Sequence, residues 1–338
     1  MTAAQEAAAG SPGSLVGRVP SPAPERLLAD LVPPRHFAAE RFETYRPDPE
    51  HPSQAAALHR LRAVADVVSA PRARFRRRPA ARPTVYLDGG FGVGKTHLLA
   101  SLAHAVGTRR TAYGTFVEFT NLVGALGFAQ TVDALARHAL VCIDEFELDD
   151  PGDTLLMARL VRELSDRGVA LAATSNTLPE SLGQGRFAAE DFLREIQGLA
   201  ARFEVVRLDG PDYRHRHAVT DRPGLADDEV RAAVAGRDDA TLDDFHGLLA
   251  HLARVHPSRY GALLDGVRLV GLTGVGPVPT QDVALRLVVL VDRLYDRDVP
   301  VVLGGAGERG LFPEDMLAGG YRKKYYRALS RLGALAPR

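Results

Sequence analysis

Residues 84–96 read Thr84-Val85-Tyr86-Leu87-Asp88-Gly89-Gly90-Phe91-Gly92-Val93-Gly94-Lys95-Thr96, and this stretch decides the fold. Thr84 to Asp88 is a short β-branched and aromatic run, which predicts a buried strand. Gly89 to Thr96 then fits the pattern G-x-x-x-x-G-K-[ST]. In that pattern, backbone N–H groups of a glycine-rich loop cradle the α- and β-phosphates of a nucleotide. The lysine reaches the β/γ-phosphates and the hydroxyl meets Mg²⁺. His97 to Ala105 follows with leucines at helical spacing, and Gly107 is the predicted stop. A strand, a glycine loop and a helix N-terminus thus converge on one anion site. The predicted ATP-binding residues are Gly89, Gly90, Phe91, Gly92, Val93, Gly94, Lys95 and Thr96. Lysine otherwise occurs only at Lys323 and Lys324, arginine having taken nearly every other basic position. A compact ammonium suits a phosphate cradle that a planar guanidinium would crowd.

Working outward, Val141-Cys142-Ile143-Asp144-Glu145 has the form of a Walker B strand, apolar residues closing on paired carboxylates. Asp144, together with Thr96, is the expected Mg²⁺ holder. Glu145 is expected to polarise the attacking water. Cys142 reads as a small core residue and Phe146 as packing. Val169 to Ser175 reads as another buried strand, and Asn176 at its exit is placed to orient water near the γ-phosphate. Glu145, Lys95 and Asn176 are therefore the candidate catalytic residues. Charge in the transition state also needs an arginine. Arg186, Arg194 and Arg202 lie after the strand ending at Ser175, where each is either an ordinary surface arginine or the finger, Arg186 being the first candidate for the latter. Arg327 and Arg331, spaced i, i+4, either reach the nucleotide from a C-terminal lid or form salt bridges.

The chain has 338 residues, 46% hydrophobic and 25% charged, with 42 Lys+Arg against 42 Asp+Glu. This is the composition of a soluble protein with room for a real core. The charge balance weighs against a surface coated for nucleic acid, although it allows a local patch. One cysteine excludes intrachain disulfides. No apolar run is long enough for a membrane span, and the N-terminus does not read as a signal peptide, so the cytoplasm is the expected compartment.

Residues 1–25, rich in Ala, Pro, Gly and Ser, are predicted to be a disordered tail. Residues 26–83 read as a mostly helical segment, broken at Pro33-Pro34 and around Pro47 to Pro52, followed by an Arg/Pro-rich linker from Pro71 to Pro83. A solvated linker is preferred over a nucleic-acid, lipid or acidic-partner contact. Residues 84–216 form the expected ATPase core. Within it Thr111 to Thr120 is predicted as strand, Thr131 to His138 and Asp153 to Arg167 as helices, and Phe203 to Leu208 as strand. Alternating helices and apolar strands predict an α/β fold, a P-loop NTPase of AAA+-like type with a parallel sheet covered on both faces. Residues 217–338 are predicted to be loop-like to about Ala240 and then mostly α-helical, from Thr241 to Val255, Pro279 to Tyr295 and Gly320 to Leu335. Val299 to Leu303 is an additional strand, and Gly304 to Gly307 reads as a loop.

These motifs together resemble the ZapE-type family of cell-division ATPases. The resemblance rests on residues 86–96, Leu140 to Phe146, and Gly168 to Asn176 with its exit Thr177-Leu178-Pro179. It also rests on Asp212-Tyr213-Arg214-His215-Arg216 and the closing stretch Tyr325 to Leu332. It implies an ATP- and Mg²⁺-dependent homo-oligomer that hydrolyses ATP to remodel a protein partner, in some bacteria the tubulin-like division protein. The family's Phe-His-x-Phe-Met segment is replaced here by Phe116-Val117-Glu118-Phe119-Thr120-Asn121. The competing class is a helicase-loader-like ATPase acting with DNA, which the arginines of residues 72–82 favour and the neutral net charge disfavours.

Overall fold

The computed structural model describes residues 11–70, 82–90, 92–146, 151–175, 193–211 and 222–337. They divide into two compact units, one from Ala23 to His215 and one combining Met1–Pro22 with Arg216–Arg338.

The first unit begins with α1 (Pro24–Ala29) and α2 (Pro52–Ser69), both opened by proline. Proline suits a first helical turn, where its missing N–H is not needed. Then follow β1 (Thr84–Gly89), α3 (Lys95–Val106), β2 (Thr111–Thr115), α4 (Phe116–Leu126) and α5 (Phe128–Leu135). β3 (Leu140–Asp144), α6 (Pro151–Asp166), β4 (Ala170–Ser175), α7 (Leu193–Ala200) and β5 (Glu204–Leu208) complete it. The five strands form one parallel sheet in the order β2-β3-β4-β1-β5.

Alternation along each strand divides the core in two. Tyr86, Val141, Ile143, Leu171 and Ala173 pack with residues of α4, α5, α6 and α7. Val85, Leu87, Leu140, Cys142, Ala170 and Ala172 pack with α2 and α3. Both faces of the sheet are thus sealed by helices, which is why its strands read as continuous apolar runs. Phe146 is fully buried, with ring contacts to Tyr86, Phe116 and Phe203 at 6.3, 5.4 and 6.3 Å.

Two local expectations for this unit are corrected. Phe116 to Thr120 is helix, not strand. Thr115 caps α4, its hydroxyl accepting from Glu118 N at 3.3 Å while Glu118 Oε2 accepts from Thr115 N at 2.6 Å. This T-x-x-E capping box overrides the β-branched and aromatic composition. The N-terminal segment is also less helical than expected. Residues 38–51 run without an α-helix, between a short 3-10 turn at Arg35–Phe37 and α2, and Phe42 and Tyr45 anchor them in the core of this unit.

The second unit contains α8 (Asp227–Val234), β6 (Ala240–Asp244), α9 (Phe245–Leu252), α10 (Tyr260–Leu263) and β7 (Leu269–Thr273). α11 (Gln281–Asp296), β8 (Val301–Leu303), α12 (Glu314–Ala318) and α13 (Arg322–Leu335) follow. Its parallel sheet has the order β6-β7-β8, so the region is α/β where mostly helix was expected. Thr241 to Asp244 is strand; the helix begins only after Asp244, whose carboxylate accepts from Gly247 N at 2.8 Å. The loop expected before Ala240 contains α8, whose Val230 and Val234 are buried. Gly271 on β7 lets α8 approach, because a Cβ there would lie 2.9 Å from Val234 Cγ1.

The tail expected to be disordered is ordered over residues 11–22. Gly13 N donates to Ala240 O at 2.8 Å, and Leu242 N donates back to Gly13 O at 2.9 Å. Asp243 then accepts from Leu15 N at 2.9 Å and Val16 N at 3.1 Å, while Leu15 is fully buried in the core around α9, α11 and α13. One leucine at the right register outweighs the low-complexity composition around it.

Candidate nucleotide site

The site lies where β1, β3 and β4 end side by side. β4 runs between the other two, pairing Leu87 with Thr174 on one side and Ile143 with Ala173 on the other. The phosphate loop leaves β1 at Gly89, where any Cβ would meet Leu208 O at 2.3 Å. Gly92 and Gly94 have φ of 70° and 93°, the left-handed region that glycine enters without penalty. Gly94 caps α3, aiming the helix N-terminus and its amides into the loop.

Lys95 is buried, and its Nζ donates to Gly89 O at 2.7 Å and to Gly90 O. The ammonium is therefore held over the loop it is expected to complete. Phe91 lies outside the described residues. Asp88, also buried, is the last residue of β1 before Gly89. Burial raises its pKa, and the positive charges of Arg207 and Lys95 partly offset that.

Across the sheet, Asp144 is buried at the end of β3. Its Oδ1 accepts from Thr96 Oγ1 at 3.3 Å, from Glu145 N at 3.1 Å and from Thr174 Oγ1, and its Oδ2 accepts from Tyr113 Oη at 2.8 Å. Burial first, and then the charge of Glu145, push the Asp144 carboxyl up; the hydroxyls of Thr174, Tyr113 and Thr96 pull it down. A buried carboxylate in this position favours a neighbouring cation. Thr96 and Asp144 present hard oxygen donors at one edge, a set that fits Mg²⁺ alongside phosphate oxygens. Among the described residues there is no cluster of three or more His, Cys, Asp or Glu able to hold a metal without such help.

Sequence reasoning missed three supporting residues. Tyr113 and Thr174 hold Asp144 as described. Tyr45, from the non-helical N-terminal segment, donates its hydroxyl to Val93 O at 3.1 Å and packs against Gly94, where a Cβ would sit 2.6 Å from its ring. Tyr45 also meets the His97 ring edge-on at 5.3 Å, and His97 in turn lies 3.3 Å from Glu40. Residues 40–45 therefore brace the phosphate loop from outside the sheet. No motif in the sequence points to these contacts.

The remaining candidates fare differently. Asn176 and Arg186 lie outside the described residues. Arg194 falls in α7, and the half-buried Arg202 pairs with the exposed Asp166 at 3.2 Å. Arg327 and Arg331 are both bound to Asp292 on α11, Arg327 at 3.0 Å, which is the salt-bridging alternative. Among the described residues no helix is long and apolar enough to cross a membrane.

A parallel sheet of this strand order, with a glycine loop and an acidic strand end on either side of β4, defines a P-loop nucleotide-binding protein. The family model described as AFG1-like ATPase matches residues 21–229 and 224–337. The chain belongs to the AFG1-like ATPase family. Among curated relatives, it is 28% identical over 261 residues to the cell division protein ZapE of Escherichia coli K12, covering 65% of this chain and 69% of that one. It is 27% identical over 227 residues to the chromosomal replication initiator protein DnaA of Lachnoclostridium phytofermentans, covering 61% of this chain and 48% of that one. Among solved structures, DnaI aligns with a TM-score of 0.42 at 16% identity, covering 55% of this chain and 98% of that one.

Proposed function

We propose that this chain is a Mg²⁺-dependent ATPase that works as a homo-oligomer and couples hydrolysis to remodelling a protein partner. The observation that carries the chemistry is the Thr96–Asp144 contact, which joins the end of the phosphate loop to the acidic strand end. Gly89 to Thr96 bind the phosphates, with Lys95 on the β/γ oxygens. Thr96 and Asp144 hold the ion, which when bound neutralises charge developing on the phosphates. Glu145, next in the chain, orients and polarises the attacking water. Asn176 assists from the exit of β4, and Arg186 is the preferred finger.

Lys95→Ala should weaken ATP binding, whereas Glu145→Gln should bind ATP and fail to turn it over. Equal hydrolysis by wild type and Glu145→Gln would refute the mechanism. For the partner, similarity to a cell division protein supports a component of the division ring, the tubulin-like protein first, and a cytoplasmic site of action. Capture with the Glu145→Gln variant and ATP tests it directly against that purified protein. The DnaA match supports a second reading, an ATPase acting with DNA. Salt-dependent DNA binding lost on neutralising Arg76, Arg77 and Arg78 would favour it.

A further inference from the structure

We infer that Thr174 is the positioning residue for both acids, and that it sets the aim of Glu145. Glu145 has φ of 53°, one of two non-glycine residues with positive φ among those described. Such a conformation is sterically costly for a residue with a side chain and persists only where surrounding contacts impose it. Beside the bond from Glu145 N to Asp144 Oδ1, two such contacts come from one residue on the neighbouring strand. Glu145 N donates to Thr174 Oγ1 at 3.0 Å and Phe146 N donates to Thr174 O at 2.7 Å. Two successive amides therefore turn back onto the same threonine, as the left-handed twist at Glu145 requires. The Thr174 hydroxyl, accepting from Glu145, spends its own proton on Asp144 Oδ1. A single buried hydroxyl thus ties the Asp144 carboxylate, which Tyr113 and Thr96 also hold, to the backbone that launches the Glu145 side chain.

The strand order explains why this residue is available. β4 lies between the strand that feeds the phosphate loop and the strand that carries the acids, so its last inward positions are adjacent to both. Thr174 is buried, with Leu87 of β1 opposite it in register. Serine can supply the same donor and acceptor; valine has threonine's shape and neither.

The inference rests on Glu145 as the water-orienting acid, and the test separates the two. Turnover and ATP binding are measured for wild type, Glu145→Gln, Thr174→Val, Thr174→Ser and the double variant Glu145→Gln/Thr174→Val. Thr174→Val is expected to lower kcat about 100-fold, the scale set by misplacing a catalytic group by an ångström, with KM for ATP little changed. Thr174→Ser should restore most of it. In the Glu145→Gln background, Thr174→Val should lower the residual rate by less than about threefold, because residues acting as a unit are not additive. If Thr174→Val does not bind ATP, Thr174→Ala, which removes the hydroxyl and adds no bulk, takes its place in every comparison. Full activity without the hydroxyl, equal losses in Val and Ser, or additive losses in the double variant overturn the inference. An active Glu145→Gln overturns the underlying mechanism instead.

Discussion

Asp292, Arg327 and Arg331 provide a sharp test of whether the C-terminal arginines are structural. Asp292 on α11 accepts from Arg327 at 3.0 Å and from Arg331, and all three side chains are no more than 17% exposed. Arg331 also lies over the Tyr295 ring at 5.0 Å. Burial by itself would raise the Asp292 carboxyl; the two guanidinium groups outweigh it and hold the pKa below the ordinary value. Asp292→Ala would leave two partly buried cations facing each other, and breaking such a pair costs about 3–5 kcal/mol. At roughly 3–5 °C per kcal/mol for a unit of this size, the melting transition of this part should fall by about 9–25 °C. The apolar triple Asp292→Leu, Arg327→Met, Arg331→Met should melt near the wild type, because it abolishes the desolvation cost with the attraction. A depressed carboxyl stabilises fully above its unfolded pKa, and that contribution is lost as pH falls through the folded value. The gap between wild type and Asp292→Ala should therefore hold from about pH 7 down to about pH 4 and shrink only as pH falls further. Thermal denaturation followed by circular dichroism reads both effects. An Asp292→Ala transition within about 2 °C of wild type would refute the structural role. So would an Arg327→Ala protein that melts normally and cannot hydrolyse ATP, which would make the arginine a lid.

Other outcomes follow from individual contacts. Gly94→Ala should weaken ATP binding at least about tenfold by equilibrium titration, because its Cβ would displace Tyr45 and its φ would be strained. Leu15→Ala empties a fully buried position and should cost about 2–5 kcal/mol in denaturant titrations of the C-terminal unit. An unchanged midpoint would show that the N-terminal segment is not part of that unit's core. Cys142 is fully buried and its thiol is pushed up by burial and by Asp144, so native protein should resist iodoacetamide that labels it readily in denaturant.

The phosphate loop, β1, β3 and β4 were legible because their information is local. A buried parallel strand is a continuous apolar run, and the loop's glycines answer to backbone geometry within eight residues. Phe116 to Thr120 and Thr241 to Asp244 were misread for the opposite reason. In the first, composition favoured a strand but the capping box at Thr115 and Glu118 began a helix. In the second, a helical pattern started one turn too early, because the pairing of Thr241 with Gly13 and Val270 is a long-range fact. Local propensity is a weak prior where tertiary pairing decides.

The sequence by itself displayed the groups of the proposed chemistry: a lysine in a glycine loop, two acids after an apolar strand, and the order in which they come. Only the tertiary structure decided how those acids are held. Tyr113 is 31 residues from Asp144 and Thr174 is 30, and each reaches it because parallel pairing places β2 and β4 on either side of β3. Likewise Leu15 and Asp243 meet 228 residues apart. Such contacts leave no periodic trace in the chain, since each needs only one residue of the right shape at one register. The sheet supplies that register, and a linear pattern cannot.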